Sequence, residues 1–428
     1  MTTTFPAARS AATRGVSKSV IAATVAGNAI EFYDFISFAF FAVYISGAFF
    51  PPGDDFANLL KTLAVFWAGF IFRPLGGIVI GAYADRAGRR AAMMLTIALI
   101  TVGTMGLALI PSSATIGAAA PTLLVICRVI QGFALGGEVG PASVFLVEAA
   151  PPGRRASYGS WQLASQGLAV MASGLLGVAL SAWLTKAQLA DWGWRVPFLV
   201  CLALIPVAFF LRGAMPETLE QHAHPASAPP REGLGAYWGY VALAVLTILG
   251  GTVSTYVGNY MATYAITTLK LPATLSLSAT FIGGISTFVF SLVSGRIADR
   301  FGRKASVIAP RIALAILIWP MFAMLAQWPS AATLYLVAIA VSGLTALSSA
   351  GGLVVLPELL PKHLRATGFA IAYAIGVSIF GGSTQLVITW LIGVTGNPTS
   401  PAWYVIVTSL ITIAAMFALP ETKNRRID

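Results

Sequence analysis

GAYADRAGRR at residues 81–90 returns as GRIADRFGRK at 295–304, with glycine, alanine, aspartate, arginine, glycine and arginine in register. A second pair repeats at nearly the same distance: Glu148, Pro151, Arg155 and Ala156 match Glu358, Pro361, Arg365 and Ala366. Two matches separated by about half the chain are the mark of a duplicated unit. Both copies lie in short polar breaks between long apolar stretches. If each unit crosses a membrane an even number of times, the two halves run in the same direction, the parallel-repeat architecture of transporters with a site between the halves.

The apolar stretches fit that reading. Of the 428 residues, 57% are hydrophobic and 10% charged, and mean hydropathy is +0.82. Soluble domains carry about 25% charged residues, so a soluble enzyme, a disordered chain and a secreted disulfide scaffold are excluded. A membrane helix needs about 20 apolar residues. Breaks rich in Gly, Pro and charge predict twelve: 18–46, 58–84, 90–110, 120–149, 157–184, 194–214, 237–269, 273–298, 304–327, 331–357, 363–394 and 401–420. The expected fold is therefore all-α and polytopic, two six-helix bundles (1–214 and 237–428) joined by a Pro-, Glu- and His-containing linker at 215–236. The basic start, with Glu31 and Asp34 inside its first apolar stretch, reads as a retained helix and not as a cleaved signal.

Most of the 26 Lys and Arg residues fall on one side if both termini lie there, and the opposite loops hold only Lys61, Lys186, Arg195 and Lys270. The positive-inside rule makes the arginine-rich side cytoplasmic. Cys127 and Cys201 sit in apolar segments as small buried side chains, and His222, His224 and His363 have no metal-ligand spacing. No basic run interleaved with aromatics suggests nucleic acid.

The duplicated loop resembles the signature loop of the major facilitator superfamily. Further stretches resemble its metabolite:proton symporters: GNAIEFYDF at 27–35, RPLGG at 73–77, RVIQGFALGGEVG at 128–140, WGWRVPF at 192–198 and FGG at 380–382. LAVFWAGFIFRPLGGIVIGAYADRAGRR and DWGWRVPFL look most like citrate/tricarballylate:proton symporters. Neighbouring branches carry α-ketoglutarate, other dicarboxylates, shikimate-like acids or proline/betaine, and those alternatives stay open. SerThrGln at 383–385 departs from relatives that have a proline soon after FGG, which leaves the bend of the eleventh helix open. The resemblance implies a monomeric transporter in the cell inner membrane, using the proton as coupling ion, with no other cofactor and no metal.

Six charges fall at membrane depth: Glu31, Asp34, Glu138, Arg73, Arg128 and Arg311. Each would cost about 2.5–3.5 kcal/mol alone at the bilayer centre, so they should face inward and pair. Glu31, Asp34 and Glu138 are the proton-coupling candidates; salt bridges with Arg73 or Arg128 are the competing reading of the first two. On the fourth helix Arg128, Gln131, Leu135 and Glu138 form one stripe, expected to line the cavity. Gly132, Gly136 and Gly140 form the opposite, close-packing face. Arg128 suits a cargo carboxylate bound by both arms of its guanidinium, or an internal pair with Glu138 or Glu31. Arg73 is a second cation candidate or a structural arginine, and Arg311 is expected to snorkel to the cytoplasmic surface. Uncharged candidates are Asn28, Gln162, Gln166, Tyr256, Asn259, Tyr260, Tyr264 and Gln385. Asp85, Arg86, Arg89, Arg155, Asp299, Arg300, Arg303 and Arg365 are expected to form a cytoplasmic gate. No Walker A motif and no catalytic set at membrane depth point to ATP-driven transport or an enzyme.

Overall fold

The computed structural model describes residues 18–136, 139–213, 234–423 and 425, and no strand occurs among them. Ten helices are long and apolar enough to span a membrane, a bent pair over 22–49 makes an eleventh, and a shorter apolar helix follows residue 193. We number the twelve spans in chain order. In the first half α1 is Lys18–Phe40 with Ala42–Phe49, α2 is Asp55–Ile71 with Arg73–Ala87, and α3 is Arg89–Leu109. Then come α4, Ala119–Gly136 with Val139–Glu148, α5, Arg155–Trp183, and α6, Val196–Gly213. In the second half α7 is Trp238–Thr267, α8 Ala273–Phe301, and α9 Arg303–Gln327. The last three are α10, Ala331–Leu347 with Ser349–Leu359, α11, Lys362–Ile375 continuing through 376–381 to Gly382–Thr395, and α12, Ser400–Ala418. Most of the linker expected at 215–236 lies outside the described residues.

Several spans are broken in ways that matter later. The first helix does not end at 46: it bends by 66° near Phe41 and continues to Phe49. In α11 the six residues 376–381 form a π-helical turn directly before Gly382. This turn supplies the irregularity for which the sequence offers no proline, and such single π turns recur at functional sites. Ser348 interrupts α10, and Pro310 sits inside α9 beside Arg311. Outward faces carry exposed Ile78, Phe210, Leu410 and Phe417, as a lipid-facing surface requires.

Glycine decides two helix crossings. A Cβ at Gly132 would run into the carbonyl of Gly69, and one at Gly136 into that of Arg73. So α2 and α4 touch backbone to backbone, the small-residue packing of membrane helices. Between the halves, a Cβ at Gly167 of α5 would meet the backbone N of Phe288 on α8 at 2.6 Å, and Gly284 faces Met171 in the same way.

Candidate functional site

A central cavity lies between the halves, walled by α1 and α5 on one side and by α7 to α11 on the other. About 110 Å³ of it is open to the centres of water molecules. One water needs about 10–15 Å³ by that measure, so the cavity takes several waters or a small solute.

Arg311 stands in its wall and is 1% exposed. Its Nη1 donates to the Gly250 carbonyl (2.9 Å) and Ser254 Oγ (2.8 Å), and its Nη2 to Ser348 Oγ (2.5 Å). Snorkelling is therefore ruled out: helical rotation points the side chain into the protein, where the α10 break and two α7 groups hold it. No Asp or Glu lines the cavity among the described residues. Arg311 Nε, Asn259 Nδ2, Ser291 Oγ and Thr345 Oγ1 are buried there without a hydrogen-bond partner. A buried cation held by neutral groups, beside unused polar atoms, is built to receive an oxygen-rich anion.

The first half holds a second polar cluster. Gln131 Nε2 donates to Asp34 Oδ2 (2.6 Å) and Thr104 Oγ1 (3.1 Å), while Arg128 Nη1 donates to Gln131 Oε1 (2.9 Å). Gln131 thus stands between the acid and the cation, and Asp34 Oδ1 has no hydrogen-bond partner. The Arg128 guanidinium lies 4.4 and 4.3 Å from the ring centres of Phe35 and Phe38; that of Arg73 lies 4.3 and 4.1 Å from Phe35 and Phe70. Such contacts stabilise a desolvated cation by about 2 kcal/mol. Phe66 and Phe70 in turn meet Tyr256 edge-on at 6.2 and 5.4 Å, so aromatic rings connect this cluster to the cavity wall.

Of the residues singled out from the sequence, Tyr256, Asn259 and Gln166 line the cavity, and so does Arg311. Arg128, Gln131 and Arg73 do not; the α4 stripe turns toward α1 and α3. Asn28 bonds α5 through Ser165 Oγ (2.5 Å) and Gln162 (2.9 Å). Glu31 is buried and lines a separate space of about 10 Å³ with Ile97, Ile100, Cys201 and Ile205. Asn28, Glu31 and Asp34 therefore face three different neighbours. The Tyr260 hydroxyl accepts from Thr389, Tyr264 donates to the Pro398 carbonyl, and Gln385 is buried away from the cavity. Glu138 lies outside the described residues. Sequence reasoning missed Ser254, Ser291, Thr345 and Ser348. Ser342, Thr345 and Ser348 recur every three residues, and that hydroxyl stripe was the available signal.

At the arginine-rich end, side chains bond across the halves. Asp299, near the end of α8, accepts from Ala156 N (3.0 Å), Ser157 N (2.9 Å) and Ser157 Oγ (2.6 Å), an anion on the N-terminus of α5. Arg365 Nη1 donates to Glu148 (2.7 Å), and Arg155 lies 3.6 Å from Glu358. Each repeat's glutamate thus meets the other repeat's arginine. Arg303 holds Glu358 with two bonds of 3.0 and 2.6 Å. Arg86 and Arg300 are exposed, and the side chains of Asp85 and Arg89 lie outside the described residues. At the far end the halves meet again, where Thr274 Oγ1 donates to the Ser181 carbonyl (3.2 Å) and Phe56 packs on Gly393.

The comparisons agree with this architecture. A sequence profile of the Major Facilitator Superfamily matches residues 35–379. The citrate-proton symporter of Klebsiella pneumoniae is 38% identical over 94% of this chain and 91% of its own. The proline/betaine transporter of Escherichia coli (strain K12) is 32% identical over 96% and 85%. A solved D-xylose-proton symporter superposes with a TM-score of 0.78, at 20% identity, over 96% of this chain and 99% of its own. With its duplicated loops, apolar helical spans and central cavity, the chain belongs to the Major Facilitator Superfamily, as a multi-pass membrane transporter.

Proposed function

We propose that the protein is a proton-coupled symporter that takes up an organic carboxylate, citrate or tricarballylate in the first place, by alternating access. The observation that carries this is Arg311, a buried cation in the central cavity with no acid beside it among the described residues. A guanidinium binds a carboxylate through two parallel bonds, and the unused donors of Asn259 and Arg311 Nε suit further oxygens. Similarity to the Klebsiella pneumoniae citrate-proton symporter supports the choice of cargo. The second reading is a zwitterion such as proline or betaine, favoured by Phe32, Tyr256 and Tyr373 in the lining, whose rings could hold a quaternary ammonium. The missing acid weighs against it.

Proton coupling falls to Asp34, with Glu31 beside it on α1, because an intramembrane acid with an unused oxygen is a group that can gain and lose a proton. In this reading Arg128 and Gln131 hold Asp34 while it is ionised, and its protonation releases them. The contacts at the arginine-rich end and those at Ser181–Thr274 and Phe56–Gly393 act as the two gates, opened in turn as the bodies 1–214 and 237–428 rock about the cavity. The positive-inside rule puts the arginine-rich end, and both termini, in the cytoplasm of a monomer in the inner membrane. The test is uptake of labelled tricarballylate and citrate into proteoliposomes under an imposed pH gradient. Accumulation should collapse with a protonophore; accumulation indifferent to the gradient refutes symport, and accumulation of betaine instead refutes the carboxylate.

A further inference from the structure

Among the described residues that line the central cavity, Arg311 is the one charged side chain. The helices packed about Arg311 offer it two titratable groups, the phenols of Tyr256 on α7 and Tyr373 on α11. From α1, α5, α8 and α10 come apolar, amide and hydroxyl side chains, such as Phe32, Gln166, Ser291 and Thr345. The acids of α1 are turned elsewhere, Asp34 onto Gln131 and Glu31 toward Cys201. Arg73 and Arg128 are outside the lining; they rest on phenylalanine rings and act on the cavity only at a distance, through the phenols of Tyr256 and Tyr373.

A buried charge is costly unless it is paired, and one paired to excess is as costly as one unpaired. A single ionised carboxylate neutralises Arg311. A second or third would touch only neutral dipoles of the described lining, at membrane depth, with no second cation there to bond it. Protonated carboxyl groups fit the same wall without that cost, because the amide oxygens of Gln166 and Asn259 and the hydroxyls of Ser291 and Thr345 can accept an O–H.

We infer that the cavity takes a polycarboxylate as its monoanion: one ionised carboxylate rests on Arg311, and every other carboxyl group enters protonated and donates to amide or hydroxyl oxygens of the wall. The inference rests on the carboxylate reading given above. An acid with n carboxyl groups then takes n − 1 protons from water as it binds and returns them to water on release. These protons ride on the cargo, separately from any carried by Asp34.

The test uses the purified full chain and three probes on one carbon skeleton: tricarballylate, its monoamide with two carboxyl groups, and its bisamide with one. Affinities are measured by calorimetry at several pH values above the highest carboxyl pKa of each free probe, which like-charge repulsion lifts above the ordinary value of about 4 in the di- and tricarboxylate. Each proton taken up on binding weakens affinity about tenfold per pH unit in that range. The expected loss per unit is about a hundredfold for tricarballylate and about tenfold for the monoamide, with none for the bisamide. The graded series should persist in Asp34→Asn. Equal slopes for all three probes overturn the inference, because the protons would then belong to the protein; so does a flat profile for tricarballylate. If none of the three binds, the carboxylate reading itself fails.

Discussion

Replacing Arg311 by lysine keeps the charge in the cavity and removes the fork. The guanidinium spends Nη1 on the Gly250 carbonyl and Ser254 Oγ and Nη2 on Ser348 Oγ, leaving Nε unused in the cavity. A lysine ammonium has three donors on one nitrogen, so it cannot keep those anchors and also bind an incoming carboxylate with two bonds. At least one charge-assisted bond to the cargo is lost. Such bonds are worth about 1.5–3 kcal/mol, which at about 1.4 kcal/mol per decade raises Kd about 10- to 150-fold. The assay is calorimetric binding of tricarballylate to purified Arg311→Lys, with Arg311→Met beside it, for which no binding is expected. A melting temperature close to that of the parent protein separates lost binding from lost fold. Arg128→Lys is the contrasting variant: its guanidinium meets Gln131 and three phenylalanine rings, so binding should survive while proton-driven accumulation falls. If Arg311→Lys binds tricarballylate as tightly as the parent and Arg128→Lys does not, the cargo cation has been assigned to the wrong half.

Four further outcomes are expected. Asp34→Asn should abolish uphill, proton-driven accumulation yet retain exchange of preloaded cargo, and full accumulation would remove Asp34 from coupling. Asp299→Asn takes the charge from the α5 N-terminus at a cost of about 0.5–2 kcal/mol, and spin labels across the arginine-rich end should report more open molecules with cargo preference unchanged. Gly132→Val pushes a side chain into the Gly69 carbonyl, where backbone cannot yield, so it should cost more than the 1–3 kcal/mol typical of overpacking and lower the melting temperature sharply. Partial burial pushes Glu421 upward, but the backbone N–H groups of Arg303, Lys304, Lys423 and Thr422 outweigh it and hold the carboxyl below the usual range. Its contribution to stability is therefore present above the ordinary glutamate pKa of 4.5 and is lost as pH falls through the lowered value. Glu421→Gln should accordingly show a smaller drop in melting temperature on acidification than the parent protein.

The duplicated loops illustrate what a sequence can carry. Their residues repeat because each half solves the same local problem, and the structure shows Glu148 with Arg365 and Glu358 near Arg155, reciprocal partners already visible as a repeat. Gly132 and Gly136 were legible for a similar reason: spacing along one helix sets which residues share a face, and glycine marks where backbones touch. Arg311 was not legible. Its distance from Lys304 gives depth, but depth along a helix says nothing about rotation, and a long side chain can reach back to the surface as easily as inward. Its three partners come from α7 and from the break in α10 at Ser348, far away in the chain.

Composition and repeats alone point to an all-α polytopic membrane protein built on a duplicated unit, because hydropathy, glycine spacing and charge placement are properties of local segments. Which buried charge faces which neighbour is another matter. Asn28, Glu31 and Asp34 are three residues apart and look toward α5, α6 and α4, and one arginine of three lines the cavity. Those assignments depend on how each helix is turned against the others, and that rotation is set by the summed packing of the whole bundle.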